Sequence, residues 1–121
     1  MLKENIHCQM LELEYFLGRR WTIPILLEFK NNNLTFNQLK KRTDKIINSS
    51  LLSLTIKELI KFSIIQRINS GKIYYRFTDK GQELVNILLQ IKEWGRNNGF
   101  NMKEQCIKSS CMECDYFLKK E

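Results

Sequence analysis

The chain has 121 residues, a length that favours one domain, and 43% of them are hydrophobic, enough for a small core. Lys and Arg number 20 against 13 Asp and Glu, a formal charge of +7 that favours a polyanionic partner. No apolar run nears the ~20 residues of a membrane span, and acids interrupt the apolar N-terminal residues, so neither a membrane protein nor a secreted one is expected. The expected location is cytoplasmic, where the four cysteines would be reduced, metal-bound or redox-sensing rather than a disulfide scaffold.

Apolar residues at Ile6, Met10, Leu13, Phe16 and Leu17 predict a helix over residues 6–17, with Gly18 as its stop. Trp21 to Phe29 reads as a second helix. Pro24 falls in its first turn, where a missing N–H costs nothing. After the Asn31-Asn32-Asn33 turn, Leu34-Thr35-Phe36 is a short strand and residues 37–43 a short helix anchored by Leu39. Asn48 or Ser49 caps a helix running to about Phe62, with Leu52, Ile56 and Leu59 on one face. Two β-type runs follow, 64–68 and 72–77, joined by Asn69-Ser70-Gly71 as a hairpin. Thr78 caps a last helix bearing Leu84, Ile87, Leu88, Ile91 and Trp94, with Val85 and Leu89 beyond its main stripe. Residues 95–99 are expected to break it.

The basic charge is segregated. Residues 34–81 hold ten Lys/Arg and three Asp/Glu, so this one block carries the whole +7. The predicted order is helix, helix, short strand, helix, helix, two-stranded wing, helix, a mainly α fold with a small β-wing, that is, a winged helix-turn-helix. In such a fold the second helix of the pair enters the major groove and the first braces it. The candidate DNA-binding residues are therefore Asn48, Ser49, Ser50, Ser53, Thr55, Lys57 and Lys61, whose hydroxyl, amide and ammonium groups suit base edges and phosphates. Leu51 and Leu54 lie outside the core stripe, either as secondary packing or as contacts to thymine methyls. Lys40, Lys41 and Arg42 on the bracing helix face phosphates or solvent. Arg67, Lys72 and Arg76 surround the wing tip, while Tyr74, Tyr75 and Phe77 read as sheet and core residues.

These residues also carry a resemblance. Gly18-Arg19-Arg20-Trp21 is similar to a G-G-K-W motif, and Trp21-Thr22-Ile23-Pro24-Ile25-Leu26 to W-T-x-x-I-L. Phe36-Asn37-Gln38-Leu39-Lys40 is similar to F-N-E-L-R, and Ile47-Asn48…Leu52…Ile56-Lys57-Glu58-Leu59 to I-S…L…L-R-E-L. Tyr75 to Gly81 is similar to Y-x-L-T-x-x-G, and Cys8 stands thirteen positions before the tryptophan of the first motif. Over roughly residues 8–95 the chain thus resembles the HxlR family of MarR-like winged-helix transcription regulators. The resemblance implies a homodimer formed through the N- and C-terminal helices, with two recognition helices reading a palindromic operator on double-stranded DNA. It departs from the family at Gln9, where proline is usual, in a shorter wing without proline, and in the cysteines of the tail.

The expected organisation is a DNA-binding and dimerisation domain over 1–95 and a cysteine-bearing tail over 96–121. Cys106, Cys111 and Cys114 form C-x4-C-x2-C, and in the family's dimer the N-terminal helix lies near the C-terminal segment. Cys8 would then complete an all-sulfur site for Zn²⁺ or an iron–sulfur cluster. Free thiols or a redox disulfide are the alternative. His7 is expected at the surface. No phosphate loop, zinc-protease motif or triad is present, so no enzyme is expected. The competing functions are a small metal- or thiol-based electron-transfer protein and a non-specific architectural DNA-binding protein.

Overall fold

The computed structural model describes residues 8–102. The chain forms α1 (Gln9–Gly18), α2 (Thr22–Glu28), α3 (Phe36–Thr43), α4 (Ser49–Lys61), β1 (Ile65–Asn69), β2 (Ile73–Phe77) and α5 (Asp79–Asn97). This is the expected winged helix-turn-helix order.

At the centre lies α2, six of whose seven residues are buried. A helix buried on nearly every side must be apolar nearly all round, and Pro24, Ile25, Leu26 and Leu27 meet that demand. Leu39 of α3, Leu52, Ile56 and Leu59 of α4, Ile65 of β1 and Leu88 of α5 close around it. Phe29 packs against Phe77 of the wing at 5.8 Å between ring centroids. From α1, Phe16 is buried, and Leu13 and Leu17 pack partly against the same core.

The wing is antiparallel, with Ile65 opposite Phe77 and Asn69 opposite Ile73. Its tip is Ser70-Gly71-Lys72, one residue later than the sequence suggests. Gly71 takes φ +90°, a value that glycine tolerates without strain. The predicted strand at 34–36 shrinks to one bridge. Leu34 exchanges two backbone hydrogen bonds with Tyr75, at 3.0 and 2.8 Å. Thr35 then leaves the sheet to cap α3. Its hydroxyl accepts from the Gln38 N–H, and the Gln38 side chain accepts from the Thr35 N–H, a complete capping box.

One helix end differs in manner from expectation and one agrees with it. Gly18 does not stop α1 through a left-handed turn. It stays helical, and the chain leaves through Arg19 in an extended conformation. At the other end, α5 stops within the expected 95–99 segment, though beyond Gly95 itself. The helix runs on to Asn97 and is ended by Gly99 at φ +89°, with the Phe100 N–H returning to the Gly95 carbonyl.

The start of α5 locks the wing to α4. The Thr78 hydroxyl accepts from the Gly81 N–H at 3.1 Å and donates to the Ser63 carbonyl at 2.5 Å. Gly81 sits so close to β1 that a Cβ there would overlap the Ile64 carbonyl oxygen and lie 2.8 Å from the Phe77 ring. Gly81→Ala must therefore displace backbone, and it is expected to cost about 2 kcal/mol or more, read as a fall in Tm of roughly 10 °C. An unchanged melting curve would show that α5 shifts freely on the wing.

Candidate nucleic-acid interface

The second helix of the pair, α4, is a two-faced rod. Leu52, Thr55, Ile56 and Leu59 are buried. Ser50, Leu54, Lys57 and Lys61 recur at steps of four, three and four residues on the opposite side, and all four are exposed. Ser49 is also exposed, at the first turn, and Ser53 is half-buried on the flank. Asn48 is the N-cap. Its side-chain oxygen accepts from the Leu51 N–H at 2.9 Å, so that oxygen is committed to the helix.

One α4 residue departs from its expected place. Thr55 is only 1% exposed, and its hydroxyl donates to the Leu51 carbonyl at 2.9 Å. It is a core residue, and the exposed stripe of α4 passes it by. Leu51 packs partly against the core, whereas Leu54 stands in solvent, so the two leucines part company.

On α3, Lys40 and Lys41 are exposed. Arg42 is not a third free cation. Its guanidinium donates to the Glu28 carboxylate at 3.2 Å, and Glu28, on α2, is 4% exposed. A buried carboxylate needs a cationic partner, and Arg42 supplies it while bracing α3 on α2. In the wing, Lys72 occupies the tip. Arg67 pairs with Tyr75 and Arg76 with Gln66, and adjacent positions along a strand face opposite sides. Arg67 and Arg76 therefore point to opposite faces of the ribbon rather than converging.

Sequence reasoning missed what holds α4 in place. Arg19, in the α1–α2 link, donates two hydrogen bonds to Glu58 of α4, at 2.6 and 3.3 Å. The same guanidinium donates to Thr22 Oγ1 at 3.3 Å and lies 5.0 Å from the Phe16 ring and 5.3 Å from the Trp21 ring. One turn further on, Lys61 lies 4.0 Å from Glu12 of α1. A cavity of about 330 Å³ opens beside this seam, lined by Gln9, Glu12, Leu13, Phe62, Ile64, Lys80 and Leu84. No local signal announces a pair 39 residues apart, although the Thr35-x-x-Gln38 capping box was readable.

Cys8 is exposed and precedes α1 as its N-cap, with no side-chain capping bond. Cys106, Cys111 and Cys114, with Ile6 and His7, lie outside the described residues. Among the described residues no three His, Cys, Asp or Glu side chains cluster as metal ligands would.

A reading helix braced by α3, with its exposed face opposite the core and a basic wing beside it, defines a winged helix-turn-helix DNA-binding protein. The HxlR-like helix-turn-helix family matches residues 16–103, and the chain belongs to that family. A helix-turn-helix-type transcriptional regulator of Methanothermobacter thermautotrophicus is 29% identical over 87 residues, covering 69% of this chain and 66% of the relative. The reduced form of the transcriptional regulator YodB from B. subtilis is 24% identical, with a TM-score of 0.63 over 74% of this chain and 92% of that one. The redox regulator HypR in its reduced form is 25% identical, with a TM-score of 0.61 over 75% of this chain and 93% of that one. Regulators of this family bind DNA and are not enzymes. Among the described residues no helix is long and apolar enough to cross a membrane.

The Arg19–Glu58 pair is two-pronged and mostly shielded from water, the geometry in which an ion pair contributes measurably. A double-mutant cycle with Arg19→Ala and Glu58→Ala, read by urea unfolding, is expected to give a coupling of about 1–2 kcal/mol. Additive effects would show that the contact is incidental.

Proposed function

We propose that this protein is a sequence-specific transcriptional regulator that binds a palindromic operator as a homodimer and takes its signal through its cysteines. The observation that carries the DNA reading is the polar, cationic face of α4 directly opposite its buried stripe, in a chain whose family reads DNA with that element. Ser49, Ser50, Ser53, Lys57 and the free side-chain N–H of Asn48 are the groove-facing polar groups. Lys40, Lys41, Lys72 and Arg76 take phosphates, and Lys61 lies at the edge of the contact, beside Glu12.

Two exposed apolar sets support the dimer. Met10, Leu11 and Tyr15 project from α1. Ile87, Ile91 and Trp94 form a stripe along α5, 52–59% exposed, with the tilted ring of Phe100 5.7 Å from that of Trp94. A contiguous apolar stripe of this kind is costly to leave in water, and a second copy would cover it. An isologous pairing also places two recognition helices about one two-fold axis, which a palindrome mirrors.

The expected behaviour is a dimer in sedimentation that retains its own promoter fragment, with affinity falling steeply between 50 and 200 mM salt, as release of phosphate counterions requires. Replacing Ser50, Ser53 and Lys57 together with Ala should weaken that binding by about tenfold or more and leave the melting curve unchanged. No retention at low salt rejects the regulator reading. Equal affinity for unrelated DNA would favour an architectural protein.

For the signal, an exposed thiol at Cys8 and three more in the tail offer either thiol oxidation or an all-sulfur metal site, and the name of the redox regulator HypR favours the thiol route. Such a site would draw on Cys8, Cys106, Cys111 and Cys114, and thiolates suit Zn²⁺ or iron–sulfur. Protein purified without oxygen is expected to release operator DNA on mild oxidation and regain it on reduction. Metal analysis and the visible spectrum of the same sample separate the two routes. Four freely titrating thiols with no metal would eliminate the metal site, and DNA binding indifferent to oxidation would eliminate the thiol switch.

A further inference from the structure

The exposed stripe of α4 contains one side chain that phosphate binding does not explain. Ser50, Leu54, Lys57 and Lys61 run along the side away from the core, and Leu54 sits in the middle of them, 52% exposed. A solitary exposed leucine is ordinary on a protein surface. Here its place is not ordinary, because this is the face that a helix-turn-helix presents to base edges.

The stripe's chemistry leaves few means of telling bases apart. Lys57 and Lys61 end in ammonium groups, which suit phosphates as point charges. The Ser50 hydroxyl both donates and accepts, so it satisfies more than one base edge. Asn48 would be the natural reader of adenine through a paired donor and acceptor. Its acceptor oxygen is already bonded to the Leu51 N–H. What remains at the centre is an isobutyl group, and the major groove offers one apolar group, the 5-methyl of thymine.

We propose that Leu54 is a specificity-determining residue that packs against the 5-methyl of one thymine in each operator half-site. The inference rests on the regulator reading above. Cytosine at that position brings no methyl, and a purine sets polar ring edges against the leucine, so each wrong base loses the apolar contact or strips water from a polar group without replacing it. Leu51, half-buried on the core, does not share the task.

The test uses the full chain and duplexes it selects from a random-sequence library. Each thymine of the recovered consensus is replaced in turn by deoxyuridine, which removes the methyl and nothing else. Wild-type affinity is expected to fall about fourfold at one thymine per half-site, the effect of one buried methyl, and to stay level at the others. Leu54→Ala, a surface change that leaves the fold intact, should bind the thymine duplex more weakly and show no preference for thymine over uracil at that position. Leu54→Met should keep the preference. If no thymine shows the penalty, or if Leu54→Ala retains it, Leu54 does not read a methyl. Recovery of no consensus at all would instead overturn the sequence-specific reading itself, and the proposal with it.

Discussion

The recognition face works only if α4 is held at one angle, and hydrophobic burial alone does not guarantee this. Leu52, Ile56 and Leu59 bury one face of α4 in the core, but apolar contact is non-directional and tolerates small rotations. The Arg19–Glu58 contact is directional. A planar guanidinium facing a carboxylate with two hydrogen bonds fixes both distance and orientation. Arg19 is itself held by Thr22 and by the faces of Phe16 and Trp21, so little side-chain freedom is lost when the pair forms. The motif position that is glycine in G-G-K-W is arginine here, and it supplies this constraint.

The same logic governs the bracing helix. A single buried acid, Glu28, would be a liability on a helix surrounded by core, yet it engages the still partly exposed Arg42 and fixes the last turn of α3. This leaves Lys40 and Lys41 outward and takes one charge out of the triplet. The basic block thus divides by structure rather than by sequence. Arg42 braces, Arg67 and Arg76 turn to opposite faces of the wing, and the +7 is not gathered on one face.

Much of this architecture was legible because it rests on period and punctuation. The three-and-four spacing of Leu52, Ile56 and Leu59, the β-type runs around Gly71, and Thr78 as a cap are local signals, and each led to the right element. The errors share one cause: the competing interaction lay far away in sequence or was hidden in rotamer choice. Thr55 reads as a polar face residue, but its hydroxyl folds back on the Leu51 carbonyl and lets its methyl enter the core. Arg42 looks like one of three equivalent cations until Glu28, fourteen residues earlier, claims it. The two-faced character of α4 was legible in the sequence, but which of its side chains stand exposed depends on what the rest of the fold buries.

The arrangement of α1 bears on how a signal could reach DNA. Cys8 caps one end of a ten-residue helix, and Arg19 caps the other. Such a helix is about 15 Å long and behaves as a rod on that scale. Its inner face touches α4 through the tilted pair of Phe16 and Phe62 at 5.1 Å and through Glu12 beside Lys61, and its far end grips α4 through Glu58. Its outer face carries exposed Met10, Leu11 and Tyr15. A chemical change at Cys8 that tilted this rod would strain three contacts to α4 at once. Coupling between two sites needs an element that both can bias, and α1 is the one described helix with Cys8 at its head and α4 along its flank.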